Sequence, residues 1–177
     1  MMKTYIGLLR GINVGGHKKI KMADLRAHLG EVGLMEVQTY IQSGNIVFKS
    51  SIEDTAVLSK TIQDMIFTNF GFEVPVVILK SEDLERALIQ NPFKEQPIET
   101  FCFTFLSDHP LMENIENLNS INYPEEKFKL IGKTVFMYLP NGFARAKLSN
   151  NLFEKKLKVS ATTRNWKTVN KLIELSI

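Results

Sequence analysis

Apolar positions recur along the chain with two periods, and the changes from one to the other mark out the elements. Lys3 to Leu9 is nearly all apolar, as a strand covered on both faces should be. After a glycine-rich stretch, Met22, Leu25, Leu29 and Val32 return at helical spacing, with Asp24 in the first turn and Gly33 placed to end the helix. Val37, Thr39 and Ile41 then alternate with Gln38 and Tyr40, the period of a strand, and Gln42-Ser43-Gly44 turns the chain into the strand Asn45 to Phe48. Ser51-x-x-Asp54 has the form of a capping box and predicts a helix carrying Leu58, Ile62, Met65 and Ile66, ended by Gly71. Val74 to Leu79 follows as a strand. Pro75 cannot donate to a ladder, which places that strand at a sheet edge. The order βαββαβ over residues 3 to 79 is that of a ferredoxin-like unit, whose fourth strand is an edge.

The second half opens with a connector helix over 81–91, with Ser81 as its N-cap and Pro92 closing it. Strand Phe101 to Leu106, helix Pro110 to Asn119, strand Lys127 to Ile131, a turn at Gly132 and strand Thr134 to Leu139 bring back the order βαββ. Leu148, Leu152, Phe153 and Leu157 mark another helix, Val159 to Thr162 a last edge strand, and Asn165 the cap of a final helix with Trp166, Val169, Leu172 and Ile173. The expected fold is therefore α+β. It comprises two ferredoxin-like (βαββαβ) subdomains with antiparallel sheets, residues 1–80 and 81–177, the second degraded and followed by a C-terminal helix.

Composition narrows the class without changing the fold. The chain has 177 residues, 44% of them apolar, so it can bury a core of ordinary size. It has no run of about 18 apolar residues, and Met1-Met-Lys-Thr leads directly into a strand instead of a signal sequence. No membrane partner and a cytoplasmic location are the expectation. Cys102 lies inside a strand and reads as a small buried hydrophobe rather than a nucleophile or half of a disulfide. His17, His28 and His109 are scattered, and without a His-x-x-x-His pair no metal site is expected.

Charge is uneven. Residues 1–22 carry +5 and residues 141–177 carry +6, so the part between them must be −8 for the total of +3. Basic termini around an acidic middle suggest that the two ends could share one anion-attracting surface, though a solvated lysine face is the commoner explanation.

The first basic segment is also the glycine-rich one. Arg10 ends the first strand, and Gly11, Asn13, Gly15, Gly16, Lys18 and Lys19 precede the first helix. In a ferredoxin-like unit the loop after the first strand and the turn after the second lie at the same end of the sheet, which brings Gln42, Ser43 and Asn45 to the same place. Loop N–H groups, a helix N-terminus and a guanidinium are what a phosphate or carboxylate needs. Gly11-x-x-x-x-Gly16 has the outer spacing of a P-loop, but His17-Lys18-Lys19 follows where Lys-Ser or Lys-Thr is required, so an NTPase of that class is rejected. The antiparallel sheet argues against Rossmann-type dinucleotide binding. The competing reading is that the glycines serve a tight turn, Arg10 makes a salt bridge and Ser43-Gly44 is only a hairpin. At the other basic end, Arg164 and Asn165 stand at the start of the last helix, where they either orient an anion or cap and brace the helix, while Trp166 reads as a core residue.

Four segments, Leu9 to Gly16, Thr39 to Phe48, Asn91-Pro-Phe93 and Ala161 to Val169, resemble in order the family known as domain of unknown function 1697. The resemblance covers essentially the whole chain. It implies a bacterial-type protein of two α+β subdomains with ferredoxin-like character, and no activity. One departure is Arg145-Ala-Lys147-Leu148, where the family often has a serine between the basic residues.

The function expected is binding of an anionic or phosphorylated small ligand, nucleotide-like, at the glycine-rich loop. Nucleic-acid binding is a weaker alternative, because Tyr5 is the only aromatic of strand one. A non-catalytic interaction protein is another. An enzyme is left open, with His17 the one titrating candidate near the loop, and neither a cofactor nor an oligomeric state is indicated.

Overall fold

The computed structural model describes residues 1–177. Its first half runs β1 (Lys3–Leu9), α1 (Met22–Glu31), β2 (Met35–Tyr40), β3 (Asn45–Ser50), α2 (Thr55–Phe70) and β4 (Val76–Leu79), followed by α3 (Ser81–Gln90). The second half runs β5 (Phe101–Leu106), α4 (Met112–Asn119), β6 (Lys127–Ile131), β7 (Thr134–Tyr138), α5 (Asn150–Leu157), β8 (Ala161–Asn165) and α6 (Trp166–Leu175). The chain divides into two compact units, Met1–Leu84 with Lys171–Ile177, and Glu85–Asn170.

In the first unit the strand order is β2-β3-β1-β4, with every pair antiparallel. That is the ferredoxin-like order, and β4, which starts directly after Pro75, lies at the edge of the sheet. The proline still contributes a carbonyl, which accepts from the Arg10 N–H at 3.1 Å. Leu25 and Leu29 of α1, with Leu58, Ile62, Met65 and Ile66 of α2, form one cluster with Tyr5, Leu9, Ile46 and Phe48 of the sheet. Each such fully buried aliphatic or aromatic side chain is worth roughly 1.5–3 kcal/mol, far more than the helices' intrinsic propensity.

The second sheet has the order β6-β7-β5-β8, again antiparallel throughout. The topology of the first unit is repeated, on helices of eight residues each in place of ten and sixteen. Leu118, Phe153 and Leu157 of these helices pack with Cys102, Leu106, Val135 and Met137.

Two local expectations are corrected. The cap of α2 is Asp54, not Ser51: Asp54 Oδ1 accepts from the N–H groups of Ala56 at 2.8 Å and Val57 at 3.3 Å. A carboxylate at the N-cap answers both the unpaired donors and the positive end of the helix dipole. The last edge strand is Ala161–Asn165, not Val159 to Thr162, because it pairs with β5 from Leu106↔Ala161 to Cys102↔Asn165. No helix is long and apolar enough to cross a membrane.

Candidate functional site

The glycine-rich segment is anchored at both ends by buried isoleucines. Ile12 and Ile20 are 1% and 4% exposed and belong to the core of the first unit, while Val14 to Lys19 between them are exposed. The exposed part is a miniature hairpin. Val14 bridges His17, whose N–H donates to the Val14 carbonyl at 2.9 Å. Gly15 and Gly16 between them have φ of 56° and 77°, the two left-handed positions of a type I′ turn.

Asn13 closes the base of this hairpin. Its own φ is 54°, a conformation asparagine tolerates better than other side-chain-bearing residues. Asn13 Nδ2 donates to the carbonyls of Ile20 at 3.0 Å and Gln42 at 2.8 Å, and Asn13 Oδ1 accepts from the Ile20 N–H at 2.8 Å. The loop after β1 and the turn after β2 are thus stitched together at one end of the sheet. Leu9 adds a main-chain bond to Gly44 O at 2.7 Å. Gly44 has φ 93°, and a Cβ there would lie 2.6 Å from Leu9 Cβ, so no other residue fits.

The remaining candidates of this unit are distributed around that joint. Arg10 is half-buried, and desolvation lowers the pKa of its guanidinium. Lys18 Nζ reaches the main-chain carbonyl of Glu73 at 2.6 Å. Asn45 is fully buried, and its Nδ2 donates to Tyr40 O at 3.0 Å and Ser43 Oγ at 3.1 Å, so both side chains serve the turn. Gly11 has φ 75° and open space around the position of a Cβ. In the second unit Arg164 is buried, and its Nη1 donates to Thr162 Oγ1 at 2.8 Å and Thr163 O at 2.9 Å. Burial pulls its pKa down to about 10. Asn165 caps α6, with Oδ1 accepting from Thr168 N–H at 2.9 Å.

Beside the joint lies a cleft of about 630 Å³, lined among others by Asn13, Gly16, Lys19 and Gln42 of the expected set. Its volume is in the range of small-molecule sites. The lining also includes Ile20, Lys21, Met22, Asp24 and Phe70, none of which carries a sequence signal for a site. Phe70 ends α2, and only the packing of α2 across the sheet brings it here. Its ring is held edge-on against His28, with centroids 5.6 Å apart. Lys21 is the N-cap residue of α1 and makes no side-chain capping bond, so the first turn of that helix opens beside the cleft with no side-chain cap. Lys19 and Lys21 are exposed, Ile20 is buried, and Met22 and Phe70 are half-buried, giving cationic groups outside and apolar ones within. Asp24 is the one carboxylate in the lining.

No curated protein matches the sequence. Among solved structures, the conserved bacterial protein SP0830 from Streptococcus pneumoniae is similar over 100% of both chains, with 29% identity and a TM-score of 0.76. The model of the family described as protein of unknown function (DUF1697) matches residues 2–136, and the chain belongs to that family.

Proposed function

We propose that the first unit binds an anionic or phosphorylated small ligand, nucleotide-like, in the cleft beside the glycine-rich hairpin. The observation that carries this reading is the pairing of Lys19 and Lys21 with the side-chain-uncapped start of α1 at a cleft whose inner lining is Ile20, Met22 and Phe70. A helix N-terminus and two ammonium groups favour negative charge, and the apolar lining favours a ligand with a ring or chain attached to it. Arg10 and Arg164, the two arginines among the candidates from sequence, are not needed by this reading, and each is desolvated in the fold. Nucleic-acid binding of the sheet-face kind finds no support, since Tyr5 and Phe48 are both fully buried and offer no ring to a base.

The test is a thermal-shift screen of the full chain against inorganic phosphate, sulfate, nucleoside mono- and diphosphates, phosphosugars and carboxylates, with a Lys19→Ala/Lys21→Ala variant in parallel. A ligand at about 100 times its Kd adds roughly 2.7 kcal/mol, an easily read rise in Tm. The expected result is that a phosphorylated compound stabilises the wild type and does so much less in the variant. No shift with any anion, or an equal shift in the variant, rejects the reading.

A further inference from the structure

Of the four sheet edges, one carries a bulge, one is only four residues long after a proline, and one, though regular, runs directly into a helix. β2 has a bulge between Met35 and Gln38, with Glu36 at φ 51°. β4 is four residues long and follows Pro75, and β8 passes directly into α6. The remaining edge, β6, is regular. It pairs with β7 without a shift over five residue pairs, from Lys127↔Tyr138 to Ile131↔Thr134, and is the outermost strand of its sheet. One side of its backbone therefore faces no strand of the sheet, and such a row of N–H and C=O groups is a template for a further strand.

A cleft of about 560 Å³ runs along this strand and is lined by Phe93, Tyr123, Lys127, Phe128 and Lys129 among others. Its aromatic rings each have a packing partner. Phe93 packs on Tyr138 with centroids 5.9 Å apart, Phe128 on Phe153 at 6.4 Å, and Lys147 Nζ lies 5.4 Å from the Tyr123 ring centroid. Lys127 and Lys129 are exposed and the Phe128 between them is half-buried, so the strand presents charge and aromatic surface with period two. Glu126 also lines the cleft, but its two carboxylate oxygens accept from the N–H groups of Lys147 at 2.8 Å and Leu148 at 2.9 Å.

We propose that β6 and its cleft accept an extended peptide segment of alternating acidic and apolar residues, added to the second sheet as a fifth strand. Main-chain bonds to the open edge supply affinity, and the alternation of Lys127, Phe128 and Lys129 supplies specificity. Charge decides the occupant. Two copies of this chain paired through β6 would bring their lysines together, which disfavours self-association, whereas glutamate or aspartate at every second position of a partner strand meets Lys127 and Lys129.

The experiment is fluorescence anisotropy of labelled peptides titrated with the full chain, using a strand of alternating glutamate and valine, its lysine and valine counterpart, and the acidic peptide N-methylated at alternate residues. Binding of the acidic peptide about tenfold tighter than the basic one is expected, the size two exposed ion pairs account for. N-methylation should abolish binding, because it removes the donors of one ladder. Lys127→Glu/Lys129→Glu, a change of two exposed side chains, should reverse the preference between the two charged peptides. The proposal is overturned if the acidic peptide does not bind, if N-methylation is without effect, or if the charge reversal leaves the preference unchanged. Concentration-dependent dimerisation of the free chain that competes with the peptide would overturn it in favour of a second copy.

Discussion

Asn13 Nδ2 donates to the carbonyl oxygen of Gln42 at 2.8 Å, joining two turns that are 29 residues apart in the chain. The residue that looks in the sequence like a ligand donor has its amide committed to holding the site's shape. Its place in the glycine-rich segment is explained by a left-handed backbone and three hydrogen bonds, two to Ile20 and one to Gln42.

Replacing Asn13 by alanine should destabilise the chain by about 4–5 kcal/mol, from three lost hydrogen bonds at roughly 1 kcal/mol each and a left-handed alanine at 1–2 kcal/mol. Asn13→Gly keeps the backbone conformation accessible and should lose less. Urea unfolding of both variants checks this; equal losses would show that the backbone conformation contributes nothing.

Gly44→Ala should be the more damaging of two glycine substitutions. Its Cβ would stand 2.6 Å from Leu9 Cβ and 3.1 Å from Ile12 Cδ1 at φ 93°, whereas a Cβ at Gly11, φ 75°, meets nothing within 4 Å. Gly11→Ala should cost about 1–2 kcal/mol, the conformational term alone, and Gly44→Ala should add about 1–3 kcal/mol of overpacking to it. Similar melting temperatures for the two variants would contradict this.

Asp54→Ala should cost about 1 kcal/mol by removing the cap of α2, while Ser51→Ala should be close to neutral. The reverse ranking in chemical denaturation would restore the capping role to Ser51.

Tyr5 stacks on Phe48 with ring centroids 5.9 Å apart, and its buried hydroxyl has no hydrogen-bond partner. Tyr5→Phe should therefore be neutral or stabilising by about 1 kcal/mol, since it removes a desolvated polar group without a cavity. A loss of stability would show that the hydroxyl is bonded in solution.

Burial pushes the Cys102 thiol from an ordinary 9.0 up to about 11. The fold holds the protonated form while the unfolded chain ionises, so the thiol's contribution to stability is complete below pH 9.0 and is lost as the pH rises through about 11. Cys102→Ala should flatten the fall in stability over that window, and native Cys102 should react with thiol reagents only after unfolding. Rapid labelling of the native chain would refute the burial argument.

Much of the architecture was legible because its causes are local. The period-two runs and helical stripes named the strands and helices, since each element must put its apolar side chains on one surface. Pro75 named an edge because a missing donor is visible in the sequence itself. Asp54 was legible only as the second member of a capping box begun by Ser51; which of the two occupies the N-cap depends on where the backbone first turns helical, which neither side chain dictates alone. The pairing partner that ends β8 at Asn165 likewise lies on β5, about 60 residues earlier.

For the candidate site, the sequence determined the composition of the loop. It supplied two left-handed glycines, an asparagine able to share that conformation, and lysines with no nearby acid before Asp24. Tertiary structure decided which of these residues face outward and which are committed. Asn13, Ser43 and Asn45 carry turn-building hydrogen bonds, Arg164 is buried, and Lys19 and Lys21 stay exposed beside a cleft completed by Phe70. The physical reason is reach: backbone conformation and charge belong to neighbouring residues, whereas burial and the walls of a cleft are made by segments that meet only when the sheet and its two helices pack.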